Sequence, residues 1–299
     1  MNIRTLEHFL TLAERLHFGR ASEASHISIS ALSRHIRQLE QELGVTLFHR
    51  DNRTVSLTAE GKRFQQYARE ATAQWKMVCH DLADQAGELH GEISVYCSVT
   101  ASYSILFDLL NRFRDDYPGI EIKLHTGDPE HAIARVLAGE EEISIAAHPG
   151  TLPANVAFKP VTVSPLLFIA PVETSDPALQ SLPPLSAQAW AAVPMILAED
   201  GIARQRSDAW FRALGVTPKI YAQVAGNEAI VSMVSLGLGV GVVPQIVLDH
   251  SPMVDRIQVL NVEPALEPYH VGLFTLKRHL KNPLVAAFWG ITDFEGQRC

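Results

Sequence analysis

The stretch "SISALSRHIRQLEQELGVTLFHR", residues 28–50, decides how the rest of the chain is read. At ~100° per residue, Leu32, Ile36, Leu39 and Leu43 fall in one narrow stripe, and Ser30, Ser33, Arg34, Arg37 and Gln41 gather on the opposite side. Ser28 stands where a helix N-cap belongs. A purely buried helix would not carry that polar flank, and an ordinary solvated one would be richer in Lys and Glu. Periodicity alone leaves two readings open: a solvated helix of an enzyme, or a helix that shows short hydroxyls and arginines to an anionic partner.

The neighbouring residues weigh on that choice. Upstream, Leu6, Phe9, Leu10, Ala13 and Leu16 repeat with helical spacing. Gly19 interrupts the pattern, and "RASEASH" (20–26) predicts a short second helix with Ala21 and Ala24 turned inward. Downstream, "LFHRDNRTVSLT" (47–58) predicts two short strands about a turn at Asp51-Asn52, with Arg50 and Arg53 at its tip. Helix, helix, helix and hairpin make a winged helix-turn-helix. In such a fold the third helix enters the major groove through its N-terminal residues, and the wing touches phosphates.

Charge is compatible with this reading. The 299-residue chain carries a net charge of −8, yet residues 1–58 hold seven Arg against six acidic residues, leaving the remainder at −9. A local cluster of Arg on an acidic body still serves a local DNA contact. The three cysteines, Cys79, Cys97 and Cys299, have neither zinc nor disulfide spacing. The segment "MNIRTLEHFL" is charged from its fourth residue, unlike a signal peptide, and no apolar run reaches ~20 residues. A cytoplasmic protein without metal or cofactor is expected.

The head resembles the DNA-binding domain of LysR-type transcriptional regulators. The resemblance rests on Phe9, "HFGRAS" (17–22), "ALSRHIRQLEQELGVTLFHR" (31–50) and "RTVSLTAEG" (53–61). Family members commonly carry Gln or Pro at the positions held here by Ile29 and Ser30, which moves the expected base contacts onto Ser30, Ser33 and Arg34. The DNA-binding set is then Ser28, Ser30, Ser33, Arg34, Arg37, Arg50 and Arg53.

Beyond the head, Thr58 is placed to cap a long helix reaching about Gly87, in which Phe64, Ala68, Ala71, Trp75, Val78 and Leu82 form a heptad-like seam. A second copy of the chain, or the chain's own core, would cover that seam. The resemblance implies the former, a homodimer that assembles into a homotetramer.

From Gly91 the pattern changes to strand–helix alternation. "GEISVYCS", "IEIKLHTG" and "EISIAAHPG" read as strands with helices between them. After a Pro-rich stretch (165–187) the alternation resumes with "VPMILAED", "KIYAQVAG" and their helices. Two α/β lobes built on parallel sheets follow, and the resemblance extends to the periplasmic-binding-protein-like effector domain of the same family. The expected organisation is α+β and multidomain: 1–58 winged helix-turn-helix, 59–89 linker helix, 90–299 effector-binding domain. Lobe 1 is expected at about 90–161 and 268–299, and lobe 2 at about 162–267, with the chain crossing near Val161–Val163 and returning near Glu263–Tyr269.

Ligands of such folds lie beyond the carboxyl ends of strands, near helix N-termini. Three places qualify: Ser98-Val99-Thr100-Ala101, Thr126-Gly127-Asp128, and Asn227-Glu228 after Gly226. Each alone is equally an ordinary helix cap. Arg204 is either a partner for an acidic ligand or a surface Arg. "GLGVGVVP" (237–244) lacks dinucleotide-loop spacing and marks a helix end and strand entry. An enzyme using Ser98 with His125 or His148 is the remote alternative, since no nucleophile elbow, zinc spacing or P-loop is visible.

The chain's resemblance to branched-chain amino-acid regulators within the family implies an activator that responds to a small hydroxy-keto acid of the acetolactate or acetohydroxybutyrate type. A regulator of another pathway with a different carboxylate effector is the nearest alternative. Promoter DNA and RNA polymerase are the partners that the resemblance implies.

Overall fold

The computed structural model describes residues 2–50, 54–83, 89–180, 182–183 and 186–292, with backbone alone at 76–77 and 79–83. Two compact units emerge, one of Met1–Leu89 with Ala138–Glu140, the other of His90–Leu137 with Glu141–Cys299.

In the first unit, α1 (Ile3–Arg15), α2 (Phe18–Ala24) and α3 (Ile29–Leu43) precede a two-stranded wing, β1 (Phe48–Arg50) and β2 (Val55–Leu57), paired antiparallel with Phe48 opposite Leu57. Its core holds Leu6, Phe9, Leu12, Ala21, Leu32, Ile36, Leu39, Leu47 and Phe48. The periodicity located most of this core and erred at the helix ends. Leu16 is the left-handed C-cap of α1 and is exposed, as is Leu43. Ala24 is exposed as well, because α2 starts earlier than expected, capped by His17 and taking in Gly19. His8 and Leu12 are buried instead. The turn at Asp51-Asn52 and the neighbouring Arg53 lie outside the described residues.

Thr58 caps α4 (Ala59–Ala83), its Oγ1 accepting from the Gly61 N–H at 2.8 Å. At Gly61 the helix presses on the wing: a Cβ there would lie 2.1 Å from the Leu47 carbonyl oxygen. The seam divides. Phe64, Ala68 and Ala71 pack into the chain's own head core, with Phe64 edge-on to Phe9 at 4.9 Å, so this half is intramolecular. Tyr67, Trp75 and Val78 remain exposed. The side chain of Leu82 lies outside the described residues.

The second unit has two five-stranded sheets. β3 (Gly91–Cys97), α5 (Val99–Tyr103), α6 (Ile105–Asp116), β4 (Ile120–Thr126), α7 (Ala132–Leu137), β5 (Ile143–Ala147) and β6 (Val156–Ser164) belong to lobe 1. β7 (Leu166–Pro171), β8 (Pro194–Ala198), α8 (Gly201–Ala213), β9 (Lys219–Val224), α9 (Asn227–Ser235), β10 (Val240–Pro244), α10 (Gln245–Asp249) and β11 (Ile257–Leu260) form lobe 2. β12 (Tyr269–Leu276) and α11 (Pro283–Gly290) return to lobe 1. Strand order is β4-β3-β5-β12-β6 in lobe 1 and β11-β7-β10-β8-β9 in lobe 2.

Neither sheet is purely parallel, which corrects the expectation. β12 runs antiparallel to β5 and β6, and β7 runs antiparallel to β10 and β11. The chain enters lobe 2 at Pro165, just beyond the expected 161–163, and β7 occupies the Pro-rich stretch that gave no strand signal. Lobe 2 is centred on an aromatic cluster of Phe168, Trp190, Trp210 and Phe211.

Candidate functional site

The first unit offers a polar helix face. Ser28 Oγ accepts from the Ala31 N–H at 3.2 Å and lies 3.0 Å from Ser30 Oγ, so the start of α3 presents two linked hydroxyls. Leu32, Ile36 and Leu39 are fully buried, whereas Ser30, Arg34, Arg37 and Gln41 are exposed and Ser33 is half-buried. Ile29 stands 54% exposed at the head of this face. Among the described residues, neither Arg34 nor Arg37 is held in an ion pair. Two guanidinium groups on one exposed face, with hydroxyls short enough to permit close approach, suit guanine edges and phosphates.

Arg50 behaves differently. Its guanidinium bonds the Glu40 carboxylate at 2.6 Å and lies over the Phe18 ring, 5.3 Å from its centroid. It braces the wing against α3 and α2, where the sequence reading had it at the wing's tip.

The second unit encloses a cavity of about 170 Å³ between its lobes. Lobe 1 supplies Ser98, Thr100, Ala101, Glu130, Ile133 and Ile145 among its walls; lobe 2 supplies Ile202, Asn227, Pro244, Ile246 and Val247. Ser98 caps α5, accepting from the Ala101 N–H at 3.1 Å. Thr100 is only 3% exposed and donates both its N–H and its Oγ1–H to the Glu228 carboxylate of lobe 2. Ser98, Thr100, Ala101, Asn227 and Glu228 are therefore brought together from opposite lobes.

Other expected residues are not. Val99 is exposed and is not among the cavity walls. Thr126 and Gly127 do not line the cavity, and Asp128 borders a small adjoining recess with Glu199 and Asp200, which shares Glu130 and Asn227 with the cavity. Asp128 instead caps the turn Pro129–His131 and accepts from the Tyr96 hydroxyl through its carbonyl at 2.8 Å. Arg204 is spent inside lobe 2, bonding both Asp208 carboxylate oxygens at 3.0 Å, the Ala198 carbonyl at 3.1 Å and Gln223 at 2.6 Å. An Asp four residues on was the signal for that role.

Glu130 and Tyr269, which the sequence did not single out, reach the cavity. Glu130 as a residue keeps contact with solvent, yet enough protein crowds its carboxyl that desolvation raises its pKa, with Asp128 and Asp200 adding to the rise. Cys97 is buried at the end of β3, and burial pushes its thiol up to about 12, so it supplies no thiolate at neutral pH. His125 Nδ1 lies 2.9 Å from the buried Glu141 carboxylate, and His148 packs edge-on to Phe158 and near Phe274; neither lines the cavity beside Ser98.

Residues 3–62 match the bacterial regulatory helix-turn-helix model of the lysR family, and residues 86–293 match the LysR substrate binding domain. The chain belongs to the LysR family of DNA-binding transcriptional regulators. The relatives and solved structures that it matches are transcriptional regulators. The chain is 42% identical to the HTH-type transcriptional activator IlvY of Salmonella typhimurium over 294 residues, covering 97% of this chain and 99% of that protein. In fold it is similar to a full-length, singly substituted OxyR from Pseudomonas aeruginosa, with a TM-score of 0.71 at 24% identity over 98% of this chain and 94% of that one. It is likewise similar to full-length CbnR complexed with its target DNA, with a TM-score of 0.65 at 21% identity over 98% and 99% of the two chains. Among the described residues no helix is long and apolar enough to cross a membrane.

Proposed function

We propose that this LysR-family regulator is a cytoplasmic transcriptional activator whose second unit binds a small branched hydroxy-keto acid of the acetolactate or acetohydroxybutyrate type. The observation that carries the reading is the cavity between the lobes. Its walls are mainly aliphatic (Ile133, Ile145, Ile246, Val247), with Ser98 and Asn227 offering polar groups. At about 170 Å³ it is smaller than the roughly 300 Å³ at which drug-sized pockets begin, so it favours a compact metabolite. The 42% identity to an IlvY activator along nearly the whole chain supports an activator, and the resemblance to branched-chain amino-acid regulators points to that class of effector.

DNA contact is assigned to Ser28, Ser30, Ser33, Arg34 and Arg37, with Arg50 as a brace of the wing and Arg53 as a phosphate contact. Effector contact is assigned to Ser98, Thr100, Ala101 and Asn227. The exposed Trp75 and Val78 on α4 support a dimer formed along the C-terminal half of that helix. In a dimer, two recognition helices meet two half-sites. RNA polymerase would then respond to where the effector places them. An effector shifts such an arrangement only as far as it prefers one state over another.

Footprinting upstream of the protein's own and adjacent genes, with and without acetolactate, tests this function. A sequence-specific footprint that changes on adding acetolactate is expected. A specific footprint indifferent to acetolactate and acetohydroxybutyrate would leave the regulator and remove the effector.

A further inference from the structure

The cleft between the lobes carries a reciprocal pair of carboxylates. Glu228, the second residue of α9 in lobe 2, reaches across to Thr100 in lobe 1. It accepts from the Thr100 N–H at 3.0 Å and from the Thr100 hydroxyl. Glu130, in the turn after β4 of lobe 1, reaches the other way, and its Oε1 accepts from the Ile202 N–H at the start of α8 at 3.2 Å. The second seat is shaped for its occupant. Gly201 has φ +84°, and a Cβ there would lie 1.9 Å from the Glu130 carboxylate oxygen, so a larger residue would expel it. α8 runs thirteen residues, and the partial positive charge of its N-terminus favours an anion.

We propose that Glu228 and Glu130 form a two-point latch that holds the lobes against each other, and that Glu228 is a built-in occupant of the Thr100 donors for which an acidic effector competes. Each acid bonds donors on the opposite lobe, so both contacts are made together or lost together as the lobes part. The competition half rests on the effector reading given above. An incoming carboxylate directed at Thr100 must displace a carboxylate already there, and its apparent affinity is reduced by the fraction of molecules in which the latch is open.

Hydrogen exchange on the full chain tests the latch without any ligand. Glu228→Ala should speed exchange of the Thr100 amide and, by parting the lobes, of the Ile202 amide; Glu130→Ala should do the same to both. Loss of a charge-assisted contact predicts an increase on the order of tenfold. Glu228→Gln and Glu130→Gln keep an acceptor and lose the charge, and they give the same cross-cleft readout if an alanine variant folds poorly. Acceleration confined to each variant's own partner would reduce the two acids to local caps and overturn the latch. Isothermal titration with acetolactate then tests the competition. Glu228→Gln should bind about tenfold more tightly than the wild type. Binding that is equal or weaker overturns the occupant role. Coupled exchange in a protein whose wild type and variants all ignore acetolactate keeps the latch and removes the proposed effector.

Discussion

Arg50 donates to Glu40 at 2.6 Å, and the same Glu40 carboxylate accepts the backbone N–H groups of Leu47 at 2.9 Å and Phe48 at 3.2 Å. One side chain of α3 therefore fixes both the entry and the first strand of the wing. Glu40→Ala would strand two N–H groups and a guanidinium together. It should destabilise the head by about 2 kcal/mol, whereas Glu40→Gln, which keeps one acceptor, should cost less. Urea melts of the two variants check the order. Equal stability in both would mean that the wing is held elsewhere.

The exposed face of α3 yields a second prediction, about DNA. Arg34, in its N-terminal half, is assigned to a base edge, and Arg37, one turn further on, to phosphate. Arg34→Ala should cost about 1–3 kcal/mol at the specific site and relax sequence preference there. Arg37→Ala should weaken specific and non-specific binding alike and lower the salt slope by about one. Filter binding to promoter and scrambled duplexes over a salt series separates the two. An Arg34→Ala protein that discriminates as well as the wild type would take α3 out of base readout.

A third concerns pH. His8 and His35 stack with ring centroids 4.9 Å apart and Nδ1 atoms 3.0 Å apart, joining α1 to the recognition helix. One nitrogen must donate and the other accept, so the accepting ring must be neutral. Burial lowers the pKa of His8 below its usual 6.5, with His35 and Arg4 pushing the same way and Glu7 opposing them. A folded-state pKa below the unfolded one means that the unfolded chain binds the proton more readily. The stability is therefore complete above pH 6.5 and is lost as pH falls through the folded value. The melting temperature of the head should drop as pH falls below 6.5, and His8→Gln should flatten that slope. A slope unchanged in His8→Gln would assign the acid sensitivity to other groups.

How much was legible follows the range of the interactions. Helical periodicity found Leu32, Ile36 and Leu39, because a buried stripe repeats within one element. It failed at Leu16 and Leu43, where the caps turn the stripe's last member into solvent. β7 was missed because "LLFIA" is a run of five apolar residues between Pro165 and Pro171, with no alternation to mark a strand buried on both faces. The cleft was legible only in part. Ser98 and Asn227 announce themselves by position after a strand and at a helix start. The meeting of Thr100 with Glu228, or of Glu130 with Ile202, depends on how two lobes fold onto each other, which no local pattern encodes. Arg204 shows the converse: a plausible ligand group by charge, already satisfied by Asp208 and Gln223.

Ser98 allows the cap and the proposed ligand contact to be separated. Its Oγ accepts the Ala101 N–H at 3.1 Å while the residue lines the cavity. Ser98→Ala removes both roles and should cost about 1 kcal/mol of stability as well as effector affinity. Ser98→Asp keeps the cap, since Asp caps as well as Ser and suits the positive end of a helix. It also places a carboxylate beside the space meant for an anion, where like charges repel. The Asp variant should therefore melt within about 0.5 kcal/mol of the wild type, keep its DNA affinity in the absence of acetolactate, and lose its heat of binding on titration with acetolactate. Acetolactate binding at wild-type strength in Ser98→Asp would move the ligand's carboxylate away from this end of the cavity.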